Sequence, residues 1–350
     1  MSLKQYFLSM VSAVVMVGLA GAAVAQQASD QSGKPKPSFK EVSMCVYDPM
    51  GKSGILMKAF QPLQIGALSY GVKVELLPYF DERIAAEDFR AGVCDLVNLI
   101  GFRARQFNRF TGTIDSVGAL PTYDQMEKVV SVLASPKAEP LMKDGEYEVA
   151  AVIPAGKVFM FVNDRAMNTP DKMAGKKISV LDGAPELPEL VSKAGMTPVA
   201  STIANAYSRF NNGNVDITAG PALVFEPMEL EKGLRPNGGI IRFPLSQATM
   251  QLIIRHENIP AEMIQEIRRR SKDIYAQAMT MITSAEERIP DDLWIEVPED
   301  VKIAWQEAFR QNRIEMRDKG IYDAKALTLF RRIRCDADPG LPECSAADRE

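Results

Sequence analysis

Two arginines, Arg103 and Arg105, follow closely on a β-like run that ends at Ile100. A guanidinium presents a planar set of N–H donors that can hold a carboxylate through two hydrogen bonds. In open α/β sheets, ligands bind beyond the carboxyl ends of the strands. The segment therefore predicts a site for an anionic group, with a surface salt bridge as the alternative. Residues two apart point to opposite faces of an extended chain, so we expect one of these arginines to face the ligand.

The turn Asp48-Pro49-Met50-Gly51-Lys52-Ser53 contains Gly-Lys-Ser. A nucleotide-binding P-loop would need glycine where this chain has Val46, so the motif does not indicate nucleotide hydrolysis. Two interpretations remain. The turn is either an ordinary tight turn or a helix start whose free backbone N–H groups suit an anionic or polar ligand. The second interpretation makes Tyr47, Asp48 and Ser53 candidate ligand-binding residues.

The sequence carries no pattern typical of catalysis. His256 is the only histidine, and the adjacent Glu257 does not complete a triad or a metal site. There is no Gly-x-Ser-x-Gly nucleophile elbow and no Cys-x-x-Cys pair. We therefore predict a protein that is not an enzyme and that uses no metal and no cofactor.

The first 25 residues have the pattern of a secretory signal peptide. Lys4 is followed by an apolar stretch from Phe7 to Ala20 and by the small-x-small site Ala23-Val24-Ala25. An uncleaved membrane anchor is the alternative, but the stretch is short for the about 20 residues that a spanning helix needs. We expect cleavage after Ala25, a periplasmic location, and a disordered polar leader over residues 26–39.

The charge balance argues against nucleic acid as a partner. The chain has 41 basic and 45 acidic residues among 350, and cleavage would remove only Lys4, leaving a formal charge of −5. The basic clusters Arg268-Arg269-Arg270 and Arg331-Arg332 lie in helical patterns, where solvated faces explain them. The length suggests two lobes, because single cores stop growing near this size.

β-like runs alternate with amphipathic segments in two successive stretches. Strands predicted over 42–47, 72–77 and 92–100, with helices between them, indicate a parallel sheet with right-handed crossovers. A second set of strands is predicted between 157 and 254, and long helices follow over 261–282 and 301–319. The predicted fold class is α/β, with two parallel-sheet halves and long C-terminal helices.

Four cysteines are expected to pair in an oxidising compartment. They allow three connectivities. Cys335 and Cys344 bracket a Pro-Gly turn, which favours a small loop, and this leaves Cys45 with Cys94 on predicted strands that the strand order makes neighbours. We predict two disulfides and no free thiol.

Four segments, in order and with matching spacing, resemble the periplasmic receptors of TRAP (tripartite ATP-independent periplasmic) transporters. The resemblance spans about residues 41–282. The segments are Ala91-Gly92-Val93-Cys94-Asp95-Leu96, the run from Thr169 to Ile178 (TPDKMAGKKI), Ala194-Gly195-Met196-Thr197-Pro198-Val199, and the run from Tyr207 to Asp216 (YSRFNNGNVD).

The resemblance implies a two-lobed type II periplasmic-binding fold that closes on a small ligand and works with separate membrane transporter subunits. Lobe I is expected over 40–155 plus 245–284, lobe II over 156–244 plus 285–330, and a tail over 331–350. In that family an arginine in the lysine–isoleucine strand usually holds the ligand carboxylate. Here Ser179 stands in that position, which puts an organic-acid ligand in question because a hydroxyl cannot replace a bidentate cation.

Charge recognition would then depend on Arg103, Arg105 or Arg209, with a polar or anionic ligand favoured. The alternative is an apolar, lipid-like ligand for a different envelope transporter, such as an RND-type pump, held by Phe102, Phe225 or Met228. An exported hydrolase is a further alternative. The expected ligand-binding residues, besides those of the turn at residues 47–53, are Phe102, Arg103, Arg105, Ser179, Asp182, Tyr207, Arg209 and Phe225.

Overall fold

A computed structural model describes residues 38–350 of the chain. The predicted signal peptide and residues 26–37 of the predicted leader lie outside the described residues. Within 38–350, none of the helices is both long enough and apolar enough to cross a bilayer.

Eleven strands and sixteen α-helices make up the described chain. The strands are β1 (Lys40–Tyr47), β2 (Val72–Tyr79), β3 (Leu96–Ile100), β4 (Lys143–Asp144), β5 (Tyr147–Val162), β6 (Lys177–Leu181), β7 (Thr197–Ser201), β8 (Ile217–Pro221), β9 (Gly239–Ile241), β10 (Ser246–Arg255) and β11 (Trp294–Ile295). The helices are α1 (Ile55–Ala59), α2 (Gln61–Ala67), α3 (Glu82–Arg90), α4 (Gly101–Ala104), α5 (Arg109–Gly112), α6 (Tyr123–Leu133), α7 (Glu139–Met142), α8 (Pro170–Met173), α9 (Leu187–Lys193), α10 (Ile203–Asn211), α11 (Glu231–Leu234), α12 (Ala261–Arg269), α13 (Ser271–Glu287), α14 (Glu299–Asp318), α15 (Ala324–Ala337) and α16 (Pro342–Ser345).

The sheet has two parallel blocks joined by two antiparallel strands. Its order is β2-β1-β3-β10-β5-β8-β6-β7. In the first block β1 pairs in parallel with β2 and β3. In the second block β6 pairs in parallel with β7 and β8. The two strand–helix alternations of the sequence are thus the two blocks of the sheet.

The long strand β5 belongs to both blocks. Its first part pairs with β10, and its last five residues, from Val158, pair with β8. The ladder shifts by one residue at Ala155, where Thr249 is opposite Pro154 and Ala248 is opposite Gly156. Gly156 has a φ of 108°, which an L side chain rarely adopts. The bulge therefore lies where the strand passes from one block to the other.

Each block is covered by helices on both faces, as parallel sheets require. On the first block, Phe89 of α3 and Phe330 of α15 lie in the buried cluster on one face, and Ile264 of α12 lies in the cluster on the other. On the second block, Val191 of α9 and Phe210 of α10 lie in separate clusters.

Helix α14 packs against both blocks. Trp305 and Phe309 lie in a core cluster of the second block, whereas Met316 lies in a core cluster of the first. Phe330 of α15 joins the first cluster too. The range 285–330, which the sequence places with the second lobe, therefore contains residues that pack against each block.

Both predicted disulfides are confirmed. Cys45 is joined to Cys94 and Cys335 to Cys344, each with a Cα–Cα distance of 5.7 Å, and the described chain has no free cysteine. Cys94 precedes β3 instead of lying within it, because the strand begins only at Leu96. Gly92 has a φ of 81° and turns the chain before the strand starts.

The two disulfides should differ in their effect on stability. Chain-entropy arguments give about 4 kcal/mol for closing the 49-residue separation of Cys45 and Cys94, and about 3 kcal/mol for the separation of 9 in Cys335–Cys344. Replacing each pair with alanine should therefore lower the free energy of unfolding more for Cys45–Cys94. Denaturant unfolding of both double variants measures this, and a larger loss for the Cys335–Cys344 pair would contradict it.

Candidate functional site

Residues that follow five strand ends of the two blocks surround one small cavity. From the first block come Tyr47 at the end of β1, residues 80–83 after β2, and Arg103 after β3. From the second come Asp182 after β6 and residues 202–204 after β7. This is the position at which open α/β sheets bind ligands. We call the region between these strand ends the cleft.

Arg103 connects the two sides of the cleft. Its Nε donates to Glu82 Oε2 at 2.7 Å, and its Nη2 donates to Asp182 Oδ1 at 2.5 Å. The arginine side chain keeps 10% of its exposure, and that of Glu82 keeps 3%. A cation this far removed from water needs opposite charges, and here the chain supplies one from each block.

Arg105 makes a second connection. It holds Glu186 in a bidentate pair, with Nη1–Oε2 and Nη2–Oε1 distances of 3.0 and 2.8 Å. Tyr322 donates its hydroxyl to Glu186 at 3.1 Å, and burial beside this carboxylate raises the pKa of the tyrosine well above its usual value. Of the two arginines only Arg103 lines the cavity, although residues 101–104 are helical and both side chains reach the second block.

Gly183 of the second block lies close to Phe102 and Arg103 of the first block. A Cβ built on it would lie 2.9 Å from the ring of Phe102 and 3.1 Å from Cζ of Arg103. Phe102 thus covers the backbone after β6, while Arg103 bonds to Asp182 beside it. A larger residue fits there only if the Phe102 ring and the Arg103 guanidinium shift.

The helix start at residues 48–57 is occupied by the chain itself. Asp48 is buried, and its carboxylate accepts the backbone N–H groups of Met50, Leu56 and Met57 at 2.8–3.1 Å. It therefore caps α1, and the free N–H groups that the sequence suggested for a ligand are satisfied internally. Ser53 is exposed and approaches only the carbonyl of Met50.

Of the predicted residues Tyr47, Tyr207 and Ser179, only Tyr47 lines the cavity. Burial raises the pKa of Tyr47, and Glu82 and then Tyr207 add to the shift. Tyr207 is buried on α10 of the opposite block. Ser179 is buried on β6, where its Oγ lies 3.4 Å from Ser201 Oγ.

The remaining predicted residues are not brought to this cavity. Phe225 is buried in a core cluster of the second block, with Met228 packed against it. Arg209 lies half-buried on α10, and no ion pair within residues 38–350 involves it. Asp182, Arg103 and Tyr47 are therefore the predicted residues that line the cavity together.

Sequence reasoning missed three acidic residues near the cleft arginines, namely Glu82, Glu186 and Asp115. Glu82 also accepts the N–H of Ile100 at 2.5 Å, and its burial raises its pKa to about 7, against the influence of Arg103. Asp115 accepts from the N–H and the hydroxyl of Thr249, and burial raises its pKa to about 7 as well. Only Glu82 had a sequence signal, since it begins α3 directly after the N-cap Asp81.

The cavity between the blocks measures about 10 Å³. That volume holds about one water molecule. An organic ligand would enter only if the Arg103–Asp182 contact and the packing of Phe102 on Gly183 open. The geometry can therefore hold a polar group by exchange of ion pairs, whereas no group of three acidic, histidine or cysteine side chains in residues 38–350 is placed to hold a metal.

Solved structures with this fold are two-lobed TRAP periplasmic solute-binding proteins. One from Desulfovibrio salexigens, with bound orotic acid, superposes with a TM-score of 0.69 at 13% identity and covers 84% of this chain and 97% of its own. One from Sulfitobacter with bound β-D-galacturonate superposes with a TM-score of 0.68 at 15% identity. It covers 84% of this chain and 100% of its own. The predicted two-lobed α/β class is confirmed: this is a solute-binding protein fold.

Comparison of the sequence with known proteins identifies the family more specifically than the fold does. The family model "Solute-binding protein AdeT 1/2" matches residues 63–349. The probable solute-binding protein AdeT1 of Acinetobacter baumannii is 37% identical over 303 residues, which is 87% of this chain and 100% of that protein. Probable AdeT2 of the same organism is 26% identical over 67% of this chain and 98% of its own. This chain belongs to the AdeT 1/2 family of solute-binding proteins.

Glu82 should give the fold a recognisable pH dependence. Its pKa is raised on folding from 4.5 to about 7, so between these values the folded state binds the proton more tightly than the unfolded state. The free energy of unfolding should therefore fall as pH rises from about 4.5 to 7, with up to about 3 kcal/mol from this residue.

Glu82→Gln should reduce the dependence of the unfolding free energy on pH, whatever its effect on the absolute stability. Denaturant unfolding at several pH values compares the two proteins, and Glu87→Gln on the exposed face of α3 is the matched control. Equal slopes in wild type and Glu82→Gln would show that Glu82 does not titrate in this range.

Proposed function

We propose that this chain is a periplasmic receptor that closes its two lobes on a small organic ligand carrying a carboxylate and presents it to membrane transporter subunits. The observation that carries the proposal is the contact of Arg103 with Asp182 across the cleft. A carboxylate of the chain already occupies the guanidinium there. A ligand carboxylate would take its place and bridge the same two lobes.

The ligands of the fold neighbours support this chemical class. The ligands of these solved structures are orotic acid, β-D-galacturonate and, for a Bordetella pertussis receptor, pyroglutamic acid. Each of these carries a carboxyl group. In this chain Ser179 cannot supply the cation on β6, and we assign that role to Arg103, with Arg105 closing the cleft beside it. Tyr47 and Tyr207 would then hydrogen-bond the rest of the ligand.

The lobes of the proposal are the two sheet blocks. The chain would pass between them at Ala155–Gly156 and near Leu245, with lobe I over 40–155 plus 245–284 and lobe II over 156–244 plus 285–330. Opening would flex β5 at its bulge, where the ladder with β10 is already irregular. Helix α14 contacts both blocks, so it would also adjust when the cleft opens. Export with cleavage after Ala25 completes the proposal.

The ligand class is tested by titrating the purified mature protein with orotate, galacturonate, pyroglutamate and succinate in a calorimeter. For any of these that binds, Arg103→Ala should weaken binding by about 2–5 kcal/mol, as when a buried charge-assisted pair loses one partner. Arg209→Ala removes an equal charge from the second lobe outside the cavity and should leave the affinity within about 0.5 kcal/mol.

Asp182→Ala separates ion-pair exchange from direct ligand contact. If the ligand carboxylate replaces Asp182 on Arg103, removing the competing carboxylate should leave the affinity unchanged or raise it. A loss of affinity as large as that of Arg103→Ala would contradict the exchange. Failure of every carboxylate to bind, with binding of a neutral or cationic solute instead, would overturn the proposed ligand class.

A further inference from the structure

A second cavity, of about 420 Å³, lies between α15 and residues 344–350. It shares no lining residue with the cleft. Its volume falls within the range of about 300–1,000 Å³ that is usual for small-molecule sites. The lining residues are Thr328, Arg331, Arg332, Cys335, Asp336, Cys344, Arg349 and Glu350.

Covalent and hydrogen bonds fix the walls of this cavity. The disulfide joins Cys335 of α15 to Cys344 of α16. Arg331 donates from Nε and Nη2 to the carbonyl of Glu343 at 3.0 and 2.9 Å, and Thr328 donates to the carbonyl of Glu350 at 3.2 Å. The two walls are thus tied together at both ends.

The acidic groups beneath the cavity are already neutralised. The buried carboxylate of Glu350 is held by Arg313 and Arg334, and Arg334 also forms a bidentate pair with Glu343. Two buried arginines thus face two carboxylates. These four side chains form a balanced group and leave the charge of the cavity to the other lining residues.

Those other residues carry an excess of positive charge. Arg331 uses Nε and Nη2 on backbone carbonyls, which leaves Nη1 as a donor. The side chains of Arg332 and Arg349 are exposed, and within residues 38–350 neither forms an ion pair. Three guanidinium groups therefore line the cavity together with the carboxylate of Asp336 and the backbone oxygen of Glu350.

We infer that this cavity binds a phosphoryl group. One arginine suffices for a carboxylate, whereas several guanidinium groups around one cavity match the three or more oxygens of a phosphate, and arginine clusters are a recurring phosphate-recognition device. The shared chemistry is that of a free phosphate compound or a phospholipid head group. The cavity shares no lining residue with the cleft, so this inference does not depend on the ligand class proposed for the cleft.

The inference is tested with two probes on the mature protein. Inorganic pyrophosphate is titrated by calorimetry, and vesicles of phosphatidylcholine with and without phosphatidylglycerol are tested by co-sedimentation. Binding of pyrophosphate identifies a free phosphate compound, and binding only to the anionic vesicles identifies a lipid head group. The double variant Arg332→Ala/Arg349→Ala should weaken whichever binding is seen at least about tenfold.

Arg269→Ala/Arg270→Ala, which removes two exposed arginines of the α12 end, is the matched control and should leave binding unchanged. Both arginines of the test variant are exposed, so thermal unfolding should show that it remains folded. If neither probe shows saturable binding, the inference is overturned. It is also overturned if the control variant loses as much affinity as the test variant. A loss of affinity on Arg103→Ala would assign the binding to the cleft and overturn it as well.

Discussion

Arg103 and Arg105 hold the two halves of this protein together because a guanidinium removed from water must meet opposite charge. Both side chains keep 10% or less of their exposure, and each pairs with a carboxylate of the second block, Asp182 and Glu186. Removing one partner of the buried Arg105–Glu186 pair would cost about 3–5 kcal/mol. The turn after β6 supplies Asp182 to Arg103, and Tyr322 donates to Glu186 and lies against the Arg105 guanidinium.

The same constraint determines how a ligand can enter. Every cationic group of the cleft is already met by a carboxylate of the chain, and Asp48 fills the helix start that would otherwise attract an anion. Under the proposed function a ligand would therefore bind by exchange and gain only the difference between its own contacts and those that it displaces. Such exchange would favour a ligand that presents a carboxylate of its own. In the proposal, Arg103 on α4 binds that carboxylate because the chain has Ser179, not an arginine, on β6.

Much of the fold was predictable from sequence, and the failures have physical causes. The alternating strands and helices gave both sheet blocks, and the cysteines gave both disulfides, because periodicity and spacing are local signals. The sixteen-residue β5 was predicted only from residue 157 onward, since Pro154 and Gly156 are typical strand breakers; the bulge at Ala155 accommodates them. Helix α6 was missed although Thr122 and Gln125 form a capping box at its start.

The site was less predictable than the fold. Arg103, Tyr47 and Asp182 were identified because they follow strands, which a sequence shows. Glu82 and Glu186 were not, because their pairing depends on arginines that lie 21 and 81 residues away in the sequence. The interpretation of residues 101–105 as extended also hid the fact that both arginines reach the second block.

The most direct test measures the distance between the two lobes with and without these ion pairs. Spin labels at Lys58 on α1 and Lys172 on α8, both exposed and on opposite blocks, report it by pulsed electron resonance. Ion-pair closure predicts a single short distance for the ligand-free protein and a second, longer distance in Arg103→Ala/Arg105→Ala. Gly183→Ala, which forces Phe102 away, should give the longer distance too. Identical distance distributions in all three proteins would contradict closure by these contacts.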